Sequence, residues 1–275
     1  MDADFPLFVE LFALFNFGGL TLDIFLAHSE NHFRRASEYV PLYFSIAAAL
    51  LLAAILPLRR RRPDVWRDVG YCVGWAAIAV GLAGVVLHLD SRFFYERTLR
   101  SLTYAAPFAA PLAYAGLGLL LVANRMVAPG TREWALWMLL LALGGFVGNF
   151  VFSLTDHAQN GFFNRAEWIP VVTSAVAIGA LAVPFMIAVT REYLMFCGAV
   201  LAAQAAVGLL GFALHVAADW QLAAPTLFEK ILDGAPPMAP LLFPNLVLLG
   251  AIALWALVRA PTCSARSGAP QSARR

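Results

Sequence analysis

The chain has 275 residues, of which 61% are hydrophobic and only 13% charged, and its mean hydropathy is +0.74. Such a composition excludes a water-soluble globular domain, in which about a quarter of the residues are charged. The net charge of +2 says nothing about nucleic acid; the basic residues read as topology signals, no nucleic-acid motif is present, and no nucleic-acid partner is expected.

The opening MDADFP has no positive n-region and no small-residue cleavage site, which predicts a retained first span acting as a signal anchor. Eight nearly uncharged apolar runs follow, at about 7–27, 40–58, 69–88, 103–123, 134–155, 168–190, 193–215 and 238–258. Each is close to the roughly 20 residues that a helix needs to cross about 30 Å of hydrocarbon. None alternates as a strand would, and an unpaired backbone is not tolerated in lipid, so helices are expected. The predicted fold is an all-α polytopic membrane protein of about eight transmembrane helices.

Within the first run, Asn16 and Gly18-Gly19 interrupt the apolar pattern, and Asp23 lies about one turn before its end. A carboxylate at that depth is costly and is commonly paired or functional, or else snorkels to the interface. The next segment, His28 to Pro41, reads HSENHFRRASEYVP, and Asp156 to Pro170 reads DHAQNGFFNRAEWIP. One template describes both, pairing His28/His157, Asn31/Asn160, Phe33/Phe162, Glu38/Glu167, Tyr39/Trp168 and Pro41/Pro170 at a constant offset of 129. A second motif, Ala106-Pro107 through Pro111-Leu112, returns as Ala235-Pro236 through Pro240-Leu241 at the same offset. Two unrelated motifs sharing one offset predict a tandem duplication. Residues 1–129 and 130–260 then form two four-helix repeats, each of two helical hairpins, and 261–275 forms a disordered cytoplasmic tail. An even number of spans per copy makes the halves parallel, related by an axis along the membrane normal.

All four loops on one side open with a histidine: His28, His88, His157 and His215. His32, the fifth, reads as an ordinary loop residue. In the longest of these loops, Thr226 to Glu229 is a capping-box pattern ahead of a short helix ended by Gly234. Arg and Lys placement sets the orientation. Twelve basic residues, including the Arg59–Arg62 run, Arg67 and Arg125, fall on one side, and seven fall on the other. The twelve-residue side is expected to be cytoplasmic, with both termini inside, the histidine loops outside, and a bacterial inner membrane as the location. Cys72, Cys197 and Cys263 match no zinc or redox spacing, and no disulfide is expected.

Imidazole is the commonest transition-metal ligand and carboxylate a frequent partner. His28, Glu38, His157 and Glu167 are therefore candidate metal ligands, and His28, His88, His157 and His215 candidate cofactor ligands. Asn31, Asn160, Asp90, Asp156 and Asp23 complete the polar set. The fitting cofactors are a transition metal (Cu, Fe or Zn) or haem, serving redox chemistry or metal handling. No HxxxH or HExxH spacing lies within one helix, so the four histidines must converge from different hairpins. Interfacial structure is the bland alternative: His and Trp suit the membrane boundary, and Asn164 with Glu167 has the spacing of a helix cap. Asp156 is a candidate orienting partner for His157.

Two other functions fit the same residues. A transporter or permease for a small solute agrees with the internal repeat and Asp23. A structural or assembly subunit would use the loops to dock a membrane-protein partner or a second copy. No phosphate loop, GxSxG or CxxC is present, no catalytic residue is identified, and Gly144-Gly145 with Gly148 is accounted for by helix packing.

Overall fold

The computed structural model describes residues 4–260, and the chain is all-helical over that range, with no strand among the described residues. The expected disordered tail, with Cys263, lies outside the described residues, as does the start of MDADFP. Seven helical segments are long and apolar enough to cross a membrane. They are α1 (Phe5–Ser29), α2 (Tyr39–Ile55, extended by flanking 3-10 turns), α3 (Pro63–Asp90), α7 (Arg132–Gln159), α8 (Trp168–Met186), α9 (Arg191–Gln221) and α11 (Leu242–Arg259). The protein is a polytopic membrane protein.

Where eight spans were expected, the fourth run departs from the pattern. Residues 103–123 were read as one span, but the helix there, α6, covers only Leu112–Met126. Its 15 residues rise about 22 Å at 1.5 Å each, short of the roughly 30 Å of hydrocarbon. Pro107 and Pro111 are the cause. Neither has an N–H to give, and residues 107–114 close i→i+3 turns such as Ala110 N to Pro107 O at 3.1 Å. Ahead of them lie two short helices, α4 (Phe93–Glu96) and α5 (Leu99–Thr103), the second started by a Thr98/Ser101 capping box. The capping box foreseen at Thr226 and Glu229 starts α10 (Leu227–Asp233), which stops at Gly234. Side chains also start the long helices: Asp4 accepts from Leu7 N, Thr131 from Trp134 N and Thr190 from Tyr193 N.

The packing repeats as the sequence does. In the first half α1 packs on α2, α2 on α3, α3 on α6 and α6 back on α1. In the second, α7 packs on α8, α8 on α9, α9 on α11 and α11 back on α7. Between the halves α6 meets α7 and α11 meets α1, the reciprocal pairing that a two-fold relation requires.

Small residues set the helix approach. A Cβ on Gly81 would stand 2.9 Å from Pro111 O, and one on Gly208 2.6 Å from Pro240 O, so α3 and α9 press backbone to backbone on equivalent prolines.

Two polar ties cross the apolar interior. Asn16 of α1 and Asn245 of α11 exchange amide hydrogen bonds of 3.1 and 2.6 Å across the boundary between halves. Glu10 of α1 accepts from Arg125 Nη2 at 2.8 Å with both side chains buried, and the guanidinium lies 4.2 Å from the centre of the Trp66 ring. Arg125, counted among the cytoplasmic loop charges, is thus an internal ion-pair residue. At the same end Arg59 Nη1 donates to Asp4 Oδ1 at 2.9 Å. Partial burial alone would raise the Asp4 carboxyl, but the hydrogen bonds and charge of Arg59 outweigh it and hold the group below its usual range.

The close approaches carry a testable consequence. Gly208→Ala forces α9 off α11 and is expected to destabilise the protein by about 1–3 kcal/mol, the range for overpacking. Gly198→Ala, where a Cβ meets nothing within 4 Å, is expected to be neutral or stabilising. Thermal unfolding of both variants in one detergent distinguishes them.

Candidate functional site

The ends of α1 and α7 are built alike. The chain leaves each helix through a left-handed turn, at His32 (φ 60°) and Phe33 (φ 48°) in one copy and Gly161 (φ 73°) and Phe162 (φ 53°) in the other. Phe33 N donates to His28 O at 3.0 Å, and Phe162 N donates to His157 O at 3.0 Å. Asn31 Oδ1 accepts from Phe33 N at 3.1 Å, and Asn160 Oδ1 from Phe162 N at 3.0 Å. The two asparagines are therefore engaged in forming the turn, the use to which short polar side chains are suited. Phe33 then stacks on Tyr39, with ring centres 4.6 Å apart, and Phe162 on Trp168 at 4.1 Å.

This turn folds the start of the next helix back over the histidine. His28 Nδ1 lies 3.9 Å from Glu38 Oε2, and His157 Nδ1 lies 3.7 Å from Glu167 Oε2. The capping alternative for Glu167 does not describe this geometry. Asn164 does cap, accepting from Ala166 N at 3.0 Å, but the Glu167 carboxylate turns to the imidazole. Glu167 rather than the adjacent Asp156 stands beside Nδ1.

The other two histidines are oriented by backbone. His88, near the end of α3, has Nδ1 2.9 Å from Pro107 O, and His215 of α9 has Nδ1 2.9 Å from Pro236 O. A carbonyl only accepts, so Nδ1 carries the proton in both. These prolines begin the duplicated Ala-Pro motif, which explains why that motif recurs with the histidines. In all four residues the Nε2 atom has no hydrogen-bond partner among the described residues, and each ring is partly accessible.

The structure brings His28 and His88 together across the first half, with ring centres 6.4 Å apart and planes at 84°. In the second half His157 and His215 line one cavity of about 540 Å³, shared with Asp156, Asn160 and Glu167. The cavity lies between α7, α8, α9 and the 235–240 segment. Asp90 and Asp23, the remaining candidates, form no ion pair among the described residues. No three His, Cys, Asp or Glu side chains among the described residues converge to hold an ion.

The template did not reveal Asn149 and Ser153, buried on α7 and lining the cavity. Their signal lay in the places where the two copies differ. At the 129 offset Asn149, Ser153 and Asp156 stand where the first copy has Leu20, Ile24 and Ala27. Comparison of the chain with protein-family models, curated proteins and solved structures yields no match.

His32 occupies the left-handed position that Gly161 fills in the other copy, a conformation costing a side chain about 1–2 kcal/mol. His32→Gly is therefore expected to stabilise the protein by about 1 kcal/mol, read as a higher unfolding temperature in detergent, while Gly161→Ala lowers it.

Proposed function

We propose that the protein is an inner-membrane redox or metal-handling protein of two parallel four-helix halves, whose outer-face histidines coordinate a transition metal or haem through Nε2. The observation that carries this reading is the setting of the four imidazoles: Nδ1 is hydrogen-bonded to a carbonyl in His88 and His215 and faces a carboxylate at 3.9 and 3.7 Å in His28 and His157, and Nε2 has no protein partner among the described residues. Metal-ligating histidines are oriented in that way, the Nδ1 partner fixing the tautomer and raising the basicity of the free nitrogen. Bonds of about 2.0 Å from two imidazoles to one ion put ring centres roughly 6 Å apart, which favours His28 and His88 as a pair. Haem would need only two histidines from the protein, which suits a chain with no three-residue cluster among the described residues, and would supply redox chemistry there. Cytoplasmic termini and an outer histidine face follow from the basic residues, and removing Arg125 from the loop count leaves the excess on the same side.

A transporter is the second reading, favoured by the cavity of about 540 Å³ and its two carboxylates, Asp156 and Glu167. It requires solute flux in proteoliposomes that falls in Asp156→Asn.

The purified protein in detergent is expected to carry a stoichiometric metal, or a Soret band, that is lost in His28→Ala/His88→Ala. Glu38→Gln leaves the ligands in place but alters the orienting partner of His28, and is expected to weaken retention 10–100-fold. A colourless, metal-free wild type after expression with iron, copper and zinc supplied contradicts the reading.

A further inference from the structure

The two halves differ where the duplicated histidines face the bundle. Ile24 is buried in the first half, and Leu20 lies a turn before it. Asn149 and Ser153 replace them in the second half, both polar and Ser153 also shorter, and both line the cavity of about 540 Å³. That volume falls in the range of sites for small organic molecules.

The polar groups of this cavity are spread around it. Asn149 is 6% exposed, and its Nδ2 has no partner, an unsatisfied donor that calls for a carbonyl or other acceptor. Glu167 Oε2 is also buried without a hydrogen bond, and Asp156 lines the same space with no Lys or Arg among the lining residues. These carboxylates accept from hydroxyls. The remainder of the wall is mainly apolar and includes Phe152, Phe163 and Phe243, which suit a flat ring. Leu210 and Leu214, exposed on α9, stand on the rim. Leu210 is near the middle of that 31-residue helix, so the rim reaches hydrocarbon depth and admits a ligand from the bilayer.

We propose that the second half binds the head group of a lipid-soluble quinol, with Asn149 donating to one ring hydroxyl oxygen and Asp156 or Glu167 accepting from the hydroxyl at the opposite end. An amine head would meet the carboxylates but leave Asn149 Nδ2 unpaired. A ring carrying oxygens at opposite ends meets both. The inference deepens the redox reading and rests on it for the use made of the ligand, but the binding itself needs no metal.

Calorimetric titration of the full chain in detergent with a short-alkyl benzoquinone, its quinol and an alkylamine of equal chain length tests it. One quinol is expected per chain, bound at least tenfold more weakly by Asn149→Leu/Ser153→Ile, which installs the residues of the first half, and by Asp156→Ala. The double variant should keep the wild-type circular dichroism. Equal affinity in the wild type and in both variants overturns the proposal, as does binding of the alkylamine without the quinol. The heat of binding reads neither colour nor metal, so failure of the metal reading shows separately in the visible spectrum.

Discussion

One end of this protein is organised around what faces the Nδ1 atom of His28, His88, His157 and His215. An imidazole has two nitrogens, and holding one against an acceptor decides what the other can do. Two kinds of acceptor are used. Glu38 and Glu167 reach His28 and His157 because a left-handed turn folds the next helix start back over the imidazole. Pro107 and Pro236 offer their carbonyls to His88 and His215 because a proline-rich segment replaces the regular start of a span. Helix endings that would otherwise be irregular are thus the means by which an acceptor comes to face Nδ1 in all four imidazoles, and this is the link from local backbone to chemistry.

A second constraint holds the halves in register. An apolar interface in lipid gains little from hydrophobicity, so packing and polar contacts carry the specificity. The Asn16–Asn245 amide pair lies on the boundary between α1 and α11. Glu10 and Arg125, near the other end, join α1 to α6 and place a cation over Trp66 of α3. Breaking such a buried pair by removing one partner leaves an uncompensated charge, which is costly in any low-dielectric interior. The first helix is therefore tied at both ends, to the Glu10/Arg125 cluster at one and to the histidine turn at the other.

Much of this was legible in the sequence. The helical membrane class followed from the apolar runs, and the two matching turns from the His, Asn, Phe and Glu template with its constant offset. What was not legible depended on three-dimensional closure. Arg125 reads as a loop charge because its partner, Glu10, is over a hundred residues away. The fourth run reads as a full span because hydropathy does not register that Pro107 and Pro111 withhold backbone donors. Asn149 and Ser153 are unremarkable inside an apolar run, and only their contrast with Leu20 and Ile24 marks them. A repeat shows a site where its copies agree and a specialisation where they diverge.

Nitrogen-15 magnetic resonance of the histidine side chains tests the central claim most directly, because it reads which ring nitrogen carries the proton. The account predicts that His28, His88, His157 and His215 are all Nδ1–H tautomers when neutral, each with an unprotonated Nε2 free to coordinate. Nε2–H tautomers at His88 and His215, where a carbonyl faces Nδ1, would contradict it.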